Sequence, residues 1–334
     1  MNQVQSTLEH IQLGNPTTFR NLSIFPLRNP AATPADYVTL TEALKRETVE
    51  ISEVSDHGSV PELQFDNHDD KPVLIVDGEE LVGAKQDRVT NVTILAPAHA
   101  RTIIPVSCVE AGRWAWSSRR FDVSERAHFA RGRAARHVNV AASMKATGTY
   151  GGNQGEVWDN ISAKAARMSV HSRTEAMADM FEEHRPQIES YVDAFKPGND
   201  EVGAVFAIDD QIEGVDLFDR ADTLAQMLPK LVRSYAIDAL ETADAGSAPA
   251  SPATQSGAEA FLKRVAEARA ENYSAIGLGT DVRLNNPGVV AGALIHDDHV
   301  IHLAGFATDT QGPGSRRHGP ATARARRRAM GGRE

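Results

Sequence analysis

Residues 73–116 constrain this chain more than any other stretch. They read VLIVDGEELVGAKQDRVTNVTILAPAHARTIIPVSCVEAGRWAW, apolar β-forming runs cut by dense groups of acids, amides and bases. Residues 73–76 are a continuous apolar run between Pro72 and Asp77-Gly78, the pattern of a buried strand entering a tight turn. Residues 89–95 and 102–109 follow as two further strands, split by Ala96, Pro97, Ala98 and His99. Connections this short leave no room for a crossover helix, so the stretch predicts an antiparallel meander. Whatever encloses these strands must also find partners for the charges between them.

The flanks supply the enclosure. Strands are predicted at 11–13 and 22–27, parted by an Asn-Pro turn, and a loop follows through Pro30 and Pro34. Thr39 or Thr41 can cap a short helix, TLTEALKR, with Glu42 in its first turn. A strand at 49–54 precedes a polar loop over 56–71, with a short strand at 63–65. Residues 117–155 have weak periodicity and read as an irregular crossover with a strand near 138–144. Helices are predicted over 154–168 and 174–195, the second kinked or divided at Pro186. Two strands at 202–208 and 212–217 flank Asp209-Asp210. The most amphipathic segment comes next: Leu224, Met227, Leu228, Leu231, Val232, Tyr235, Ile237 and Leu240 recur near helical spacing behind Asp222, a candidate cap. A helix over 258–270 leads to a hairpin, 289–295 with 300–306. Strands and helices come in blocks, so the class is α+β, mostly antiparallel sheets against several amphipathic helices. The reading is one domain over 1–310, with a sub-boundary near 196–200, a flexible Ala/Ser/Pro linker at 243–257, and a disordered Arg-rich tail at 311–334.

Charge locates the ligand better than composition does. The net charge is −10, which argues against a specific nucleic-acid partner. Against that acidic background, residues 113–145 hold eight Lys or Arg and only Asp122 and Glu125 as acids. A basic island in an acidic protein suits a small anion. No apolar run approaches the roughly 20 residues needed to span a bilayer, and the start lacks the pattern of a signal peptide. The single cysteine, Cys108, excludes an internal disulfide framework and fits a reducing compartment, so a cytoplasmic location is expected, with no membrane partner. Oligomeric state leaves no mark on the sequence.

Candidate site residues fall in three groups. Glu79 and Glu80 follow a buried strand and a Gly turn, where carboxylates can accept protons, bind a cation or hold sugar hydroxyls, although a Glu pair after a turn is commonly just solvated. Lys85, Gln86, Arg88 and Asn91 lie within one strand's length. Strict alternation would put Gln86 and Arg88 on one face and Lys85 and Asn91 on the other, unless a bulge follows Gly83. The second group is Glu110, Arg113 and Trp114, which forms either a structural ion pair or an aromatic-plus-guanidinium platform for a base or phosphate. Cys108 beside it reads as a core residue, not a nucleophile. The third is the run RGRAAR, where Arg131, Arg133 and Arg136 are spaced to converge on phosphates. His296, Asp297, Asp298 and His299, with His302 beyond, have the residue types of a metal site. Contiguous side chains in a tight turn rarely converge on one ion, so no metal ligand is assigned, and cofactors are left open, a divalent metal included.

The blocks GEELVGAKQDRVTNVTILAPA, IPVSCVEAGRW, QGEVWDNI, IEGVDLFD and LPKLVRSYAIDAL together resemble one family, the proteins named as associates of ADP-ribosylglycohydrolases and of rhodanese/phosphatase-superfamily enzymes. The resemblance runs from about residue 13 to about 306. It implies an association with NAD and ADP-ribose metabolism and supplies no established catalytic residue. Residues and resemblance together give the expectation of an enzyme acting on an ADP-ribose- or NAD-derived nucleotide, by hydrolysis or transfer. Glu79, Glu80 and Glu110 are the catalytic carboxylates in that expectation. Lys85, Gln86, Arg88, Asn91, Arg113, Trp114, Arg131, Arg133 and Arg136 bind the substrate. The alternative is a non-catalytic nucleotide-binding or assembly module that partners an ADP-ribose-processing hydrolase, since no nucleophile–base–orienter set is visible.

Overall fold

Strict alternation along one strand shows how the larger half is built. In the computed structural model, which describes residues 2–30, 34–244 and 251–308, the strand Glu201–Ile208 is buried on both faces. Ala204, Phe206 and Ile208 pack into one core with Leu224, Leu228, Leu231 and Val232 of the helix Ala221–Asp244. Val205 and Ala207 point the other way, to Phe261 and Val265 of the helix Gln255–Ala266 and to Val4 and Leu8 of the helix Gln3–Glu9. The period of two thus serves two cores from one strand. The strand belongs to a nine-stranded antiparallel sheet with the order Gln12–Leu13, Leu22–Arg28, Glu201–Ile208, Gln211–Phe218, His299–Ala307, Val289–His296, Thr280–Asn286 and Arg269–Ser274, with Thr17–Phe19 hairpinned on Leu22–Arg28. Leu22–Arg28 pairs directly with Glu201–Ile208, so chain from both sides of residues 196–200 shares one sheet.

The stretch 73–116 builds the other half. It holds five strands where three were expected. Val73–Ile75 pairs with Ile94–Ala96 in a three-stranded sheet completed by Val38–Thr39. Glu79–Gly83, Arg88–Thr90 and Ala100–Cys108 lie in a six-stranded sheet with Phe121–Ala127, Glu62–Asn67 and Val49–Glu53. The expected strand 89–95 is therefore broken at residues 91–93, where the chain passes from one sheet to the other. Ile51, Phe65, Ile75, Leu81, Ile94, Ile104 and Val106 form its core.

The class is α+β, with mostly antiparallel strands. The short helix Leu40–Lys45 begins with a full capping box, Thr39 and Glu42 each bonding the other's backbone N–H. The expected helix 174–195 divides at His184 into Met177–Glu183 and Arg185–Ala194, with Pro186 in the first turn of the second. Three expectations are corrected. Residues 138–144 are helix, not strand, inside Ala130–Thr147. That helix buries Arg133, Arg136, His137, Val140 and Met144 along one stripe, so its inward face is largely charged and shows no apolar period. The helix expected to reach residue 270 ends at Ala266, and Arg269–Ser274 follows as the edge strand, paired with Thr280–Asn286. The linker expected at 243–257 is helical from Gln255, capped by Thr254. Residues 245–250 and the tail 311–334 lie outside the described residues. Among those described, no helix is long and apolar enough to cross a membrane.

Candidate functional site

The turn between Glu79–Gly83 and Arg88–Thr90 breaks alternation where the site requires it. Gly83 has φ +128° and Ala84 φ +39°. A Cβ on Gly83 would lie 2.6 Å from the Arg120 carbonyl, so only glycine fits. Beyond this turn Lys85 and Arg88 both reach Trp114, which a straight strand would forbid. The loop is fastened from beneath. Asp87 Oδ1 accepts from the Gly83 N–H at 3.0 Å and from Arg113 Nη2 at 2.8 Å. Arg113 also donates to Glu110 Oε2 at 2.7 Å and to the Ala84 carbonyl at 2.8 Å. Gln86 donates to the Glu110 carbonyl at 2.9 Å and accepts from Arg88 Nη1 at 3.0 Å.

Above the loop the indoles are exposed. Lys85 Nζ lies 5.3 Å from the ring centre of Trp114 and 5.0 Å from that of Trp116, and donates to the Asp56 carbonyl at 2.6 Å. The two indoles are 48% and 40% exposed, and the Arg119 guanidinium lies 5.0 Å from the Trp116 ring, so half-exposed aromatic surface meets several cations. The Arg88 guanidinium lies 5.7 Å from the Trp114 ring. Beside it is Glu53, with Oε1 4.0 Å from Arg88 Nη2. Both Glu53 oxygens, and Nε and Nη2 of Arg88, are buried without a hydrogen-bond partner among the described residues. Gly58 covers the group: a Cβ there would lie 3.2 Å from Glu53 Oε2, 3.2 Å from Lys85 Cδ and 3.3 Å from Trp114 Cη2.

Glu53 was absent from the sequence reading, although a signal existed. Val49, Ile51 and Glu53 are the inward set of one alternating strand, so an acid occupies an apolar slot. Asp87 was missed as well. Its carboxyl is pushed up to about 6 by burial, with the charges of Glu80 and Glu110 adding to the effect. Burial also raises the Cys108 thiol, which is fully enclosed, as expected of a core residue.

Of the residues singled out in the sequence, Lys85, Gln86, Arg88, Glu110, Arg113 and Trp114 come together here. The others go elsewhere. Glu79 accepts from the Val76 N–H at 2.9 Å and pairs with Lys230 at 2.6 Å. Glu80 accepts from Ser124 and from Arg126, both at 2.7 Å. Asn91 donates to the Tyr150 carbonyl at 3.0 Å and accepts from Ser107 at 2.7 Å. Arg131 pairs with Glu213 at 3.4 Å, and its backbone N–H donates to Asp238 at 3.0 Å. Arg133 and Arg136 are wholly buried, far from the solvent-facing anion site that their spacing suggested.

Arg133 and Arg136 belong to a second, closed cluster between the sheets. Arg133 donates to Asp77 Oδ1 and Oδ2, each at 3.2 Å, and to Asp216 Oδ1 and Oδ2 at 2.6 and 3.1 Å. Arg136 donates to His128 Nδ1 at 2.7 Å and approaches Asp77 at 3.7 Å. His137 bonds Asp77, and His302 bonds Thr93. Burial works against the Asp77 and Asp216 charges, yet Arg133 beside both prevails and holds them below the usual carboxylate range. Burial, reinforced by Arg136, keeps His128 neutral. Asp77, Asp216 and His302 bring ligand atoms within 4.8 Å of one another, a donor set that suits a divalent ion. The guanidinium of Arg133 bonds all four of those carboxylate oxygens, and two aspartates face two arginines, so the charge a metal would neutralise is already balanced. The residues therefore do not fit a resident metal in this arrangement. The turn His296–His299 is the hairpin bend, with Asp297 at φ +48° and Asp298 at φ +62°.

Comparison with known proteins adds one finding. The family model described as the ARG and Rhodanese-Phosphatase-superfamily-associated Protein domain, ARPP-1, matches residues 10–306. No curated protein and no solved structure matches the chain.

Proposed function

The chain belongs to the ARG and Rhodanese-Phosphatase-superfamily-associated Protein family, and from that premise we propose that it acts on an ADP-ribose- or NAD-derived nucleotide at the Lys85 loop. The observation that carries this reading is Lys85 flanked by two half-exposed indoles with Arg88 behind it. Cations at that spot suit phosphate, and indole faces suit a base. The chemistry is hydrolysis or group transfer, with a carboxylate taking the proton from water or a hydroxyl. Asp87 and Glu110, which share Arg113, are the carboxylates that fasten the loop. Asp87, raised to about 6, is the better-tuned base. Glu79 and Glu80 then hold the incoming strand through Lys230 and Arg126. Arg131, Arg133 and Arg136 drop out as ligand groups because carboxylates or a histidine already engage them. The single buried cysteine suits a reducing, cytoplasmic setting.

A second reading is favoured by one feature: Glu79, Glu80 and Glu110 each end in the grip of a cation. Carboxylates so engaged support a nucleotide-binding or assembly module that works beside an ADP-ribose-processing hydrolase. Incubating purified protein with ADP-ribose, NAD and nicotinamide-derived compounds, and following products and thermal shift together, separates the readings. Turnover that Asp87→Asn or Glu110→Gln abolishes supports the enzyme. A ligand-dependent rise in Tm without product supports the module. If neither turnover nor a shift occurs, both readings fail.

A further inference from the structure

We propose that Glu53 and Arg88 read the edge of a planar ring bearing a hydrogen-bond donor next to an acceptor, and that residues 54–61 close over that edge as a lid. The inference rests on the nucleotide reading above and names the part of the ligand that this pair selects. A carboxylate only accepts and a guanidinium only donates. Here they lie 4.0 Å apart without bonding each other, with both Glu53 oxygens and two Arg88 nitrogens unpartnered. Two charged groups buried in that state are costly to a fold, and the cost is offset when a ligand engages both. A ligand carboxylate would answer Arg88 and be repelled by Glu53, and an amine would do the reverse. One group answers both at once: a carboxamide, or the amidine edge of adenine, donating to Glu53 while accepting from Arg88. Glu53 Oε2 and the Trp114 rim meet at the same point over Gly58, so a ring against that indole brings its edge to the carboxylate.

The lid accounts for access. Ser55, Asp56 and His57 are exposed, and the Gly58 N–H closes a turn on the Ser55 carbonyl at 2.9 Å. Gly58 has φ +74°, a conformation that disfavours any side chain. The segment is tied to the loop by the Asp56 carbonyl on Lys85 Nζ, and its far end is held by the Pro61 carbonyl, which accepts from the Val106 N–H at 2.9 Å and serves as the hinge. Lifting residues 54–61 uncovers Glu53 and Arg88 and releases the Lys85 ammonium for a phosphate in one movement.

The test is titration calorimetry of the full chain with two matched pairs. These are AMP against purine riboside 5′-monophosphate, which lacks the amino donor, and nicotinamide mononucleotide against nicotinic acid mononucleotide. Wild type should prefer the donor-bearing member of at least one pair by about ten- to a hundredfold, the value of a charge-assisted bond, and the responding pair identifies the ring. Glu53→Gln, whose amide also donates, should narrow that preference and bind nicotinic acid mononucleotide more tightly than wild type does. If wild type binds both members of each pair equally, edge reading is overturned while the nucleotide reading stands. If it binds none of the four, both fall.

Discussion

Two groups of buried charge meet the same burial in different ways. Around Arg133, each oxygen of Asp77 and Asp216 accepts a hydrogen bond, and the unpartnered atoms are all nitrogens, Nε and Nη2 of Arg136 and one each on His128, His137 and His302. Around Lys85 a whole carboxylate, Glu53, lacks partners, and the neighbouring indoles face solvent. The first group is bracketed by two strands of the nine-stranded sheet, by the turn after Val73–Ile75 and by the helix Ala130–Thr147, and no side chain in it reaches the surface. The second sits on a loop under a polar segment. Carboxylates satisfied and enclosed from all sides are structural, a strut between the two halves. Charge left unsatisfied beside exposed aromatic surface is where a ligand has something to gain. A strongly shifted pKa does not separate the two, because both groups contain one.

The largest effect should come from cutting the strut. Asp216→Ala leaves Arg133 facing a single carboxylate in a sealed interior, and such a loss costs about 3–5 kcal/mol. Chemical denaturation should show the midpoint falling with the slope unchanged. A loss below about 1 kcal/mol, the range of an exposed pair, would erase the distinction between the groups.

Lys85→Ala should do the opposite, sparing the fold and harming the ligand. Its ammonium makes one hydrogen bond, to the Asp56 carbonyl, and otherwise meets only the two indoles. Nucleotide affinity should fall about tenfold or more, with stability changed by about 1 kcal/mol at most. Unchanged affinity, read by the same calorimetry, would remove Lys85 from the site.

The sequence made the β-rich frame legible wherever apolar periodicity was intact, as in Val289–His296 with His299–Ala307 or in Ala221–Asp244. It failed at Ala130–Thr147 for a physical reason. The inward stripe there is Arg133, Arg136 and His137, and a hydrophobic pattern cannot report a helix whose buried face is ionic. The same charges suggested an anion site, because spacing reveals convergence but not the partners, Asp77 and Asp216, which are 56 and 83 residues away in the chain. At the Lys85 loop the residue types were read correctly as a group. Their shared orientation depended on the positive φ of Gly83 and Ala84, which alternation does not anticipate. Glu53 comes from Val49–Glu53, separated by two strands from Arg88–Thr90 in the same sheet, a proximity that no spacing along the chain reveals.

The smallest predicted effect tests the comparison by pH. Asp77 and Asp216 have depressed folded-state values, so their stabilisation is present above the unfolded value of about 3.9 and is lost as pH falls through the folded values. Asp87 runs the other way. With a folded value of about 6, it favours the folded state while protonated, and that contribution is lost as pH rises from about 4 through 6. Asp219, also raised by burial, has the same sign, so only a difference isolates Asp87. Asp87→Asn cannot ionise but can still accept from the Gly83 N–H and Arg113. Its Tm should therefore decline less than that of wild type between pH 4 and 7, while both should fall together below pH 4, where the inner carboxylates titrate. Parallel curves across the whole range would mean that the loop carboxylate is as well compensated as the buried pair, and the contrast between an unsatisfied site and a satisfied strut would lose its electrostatic basis.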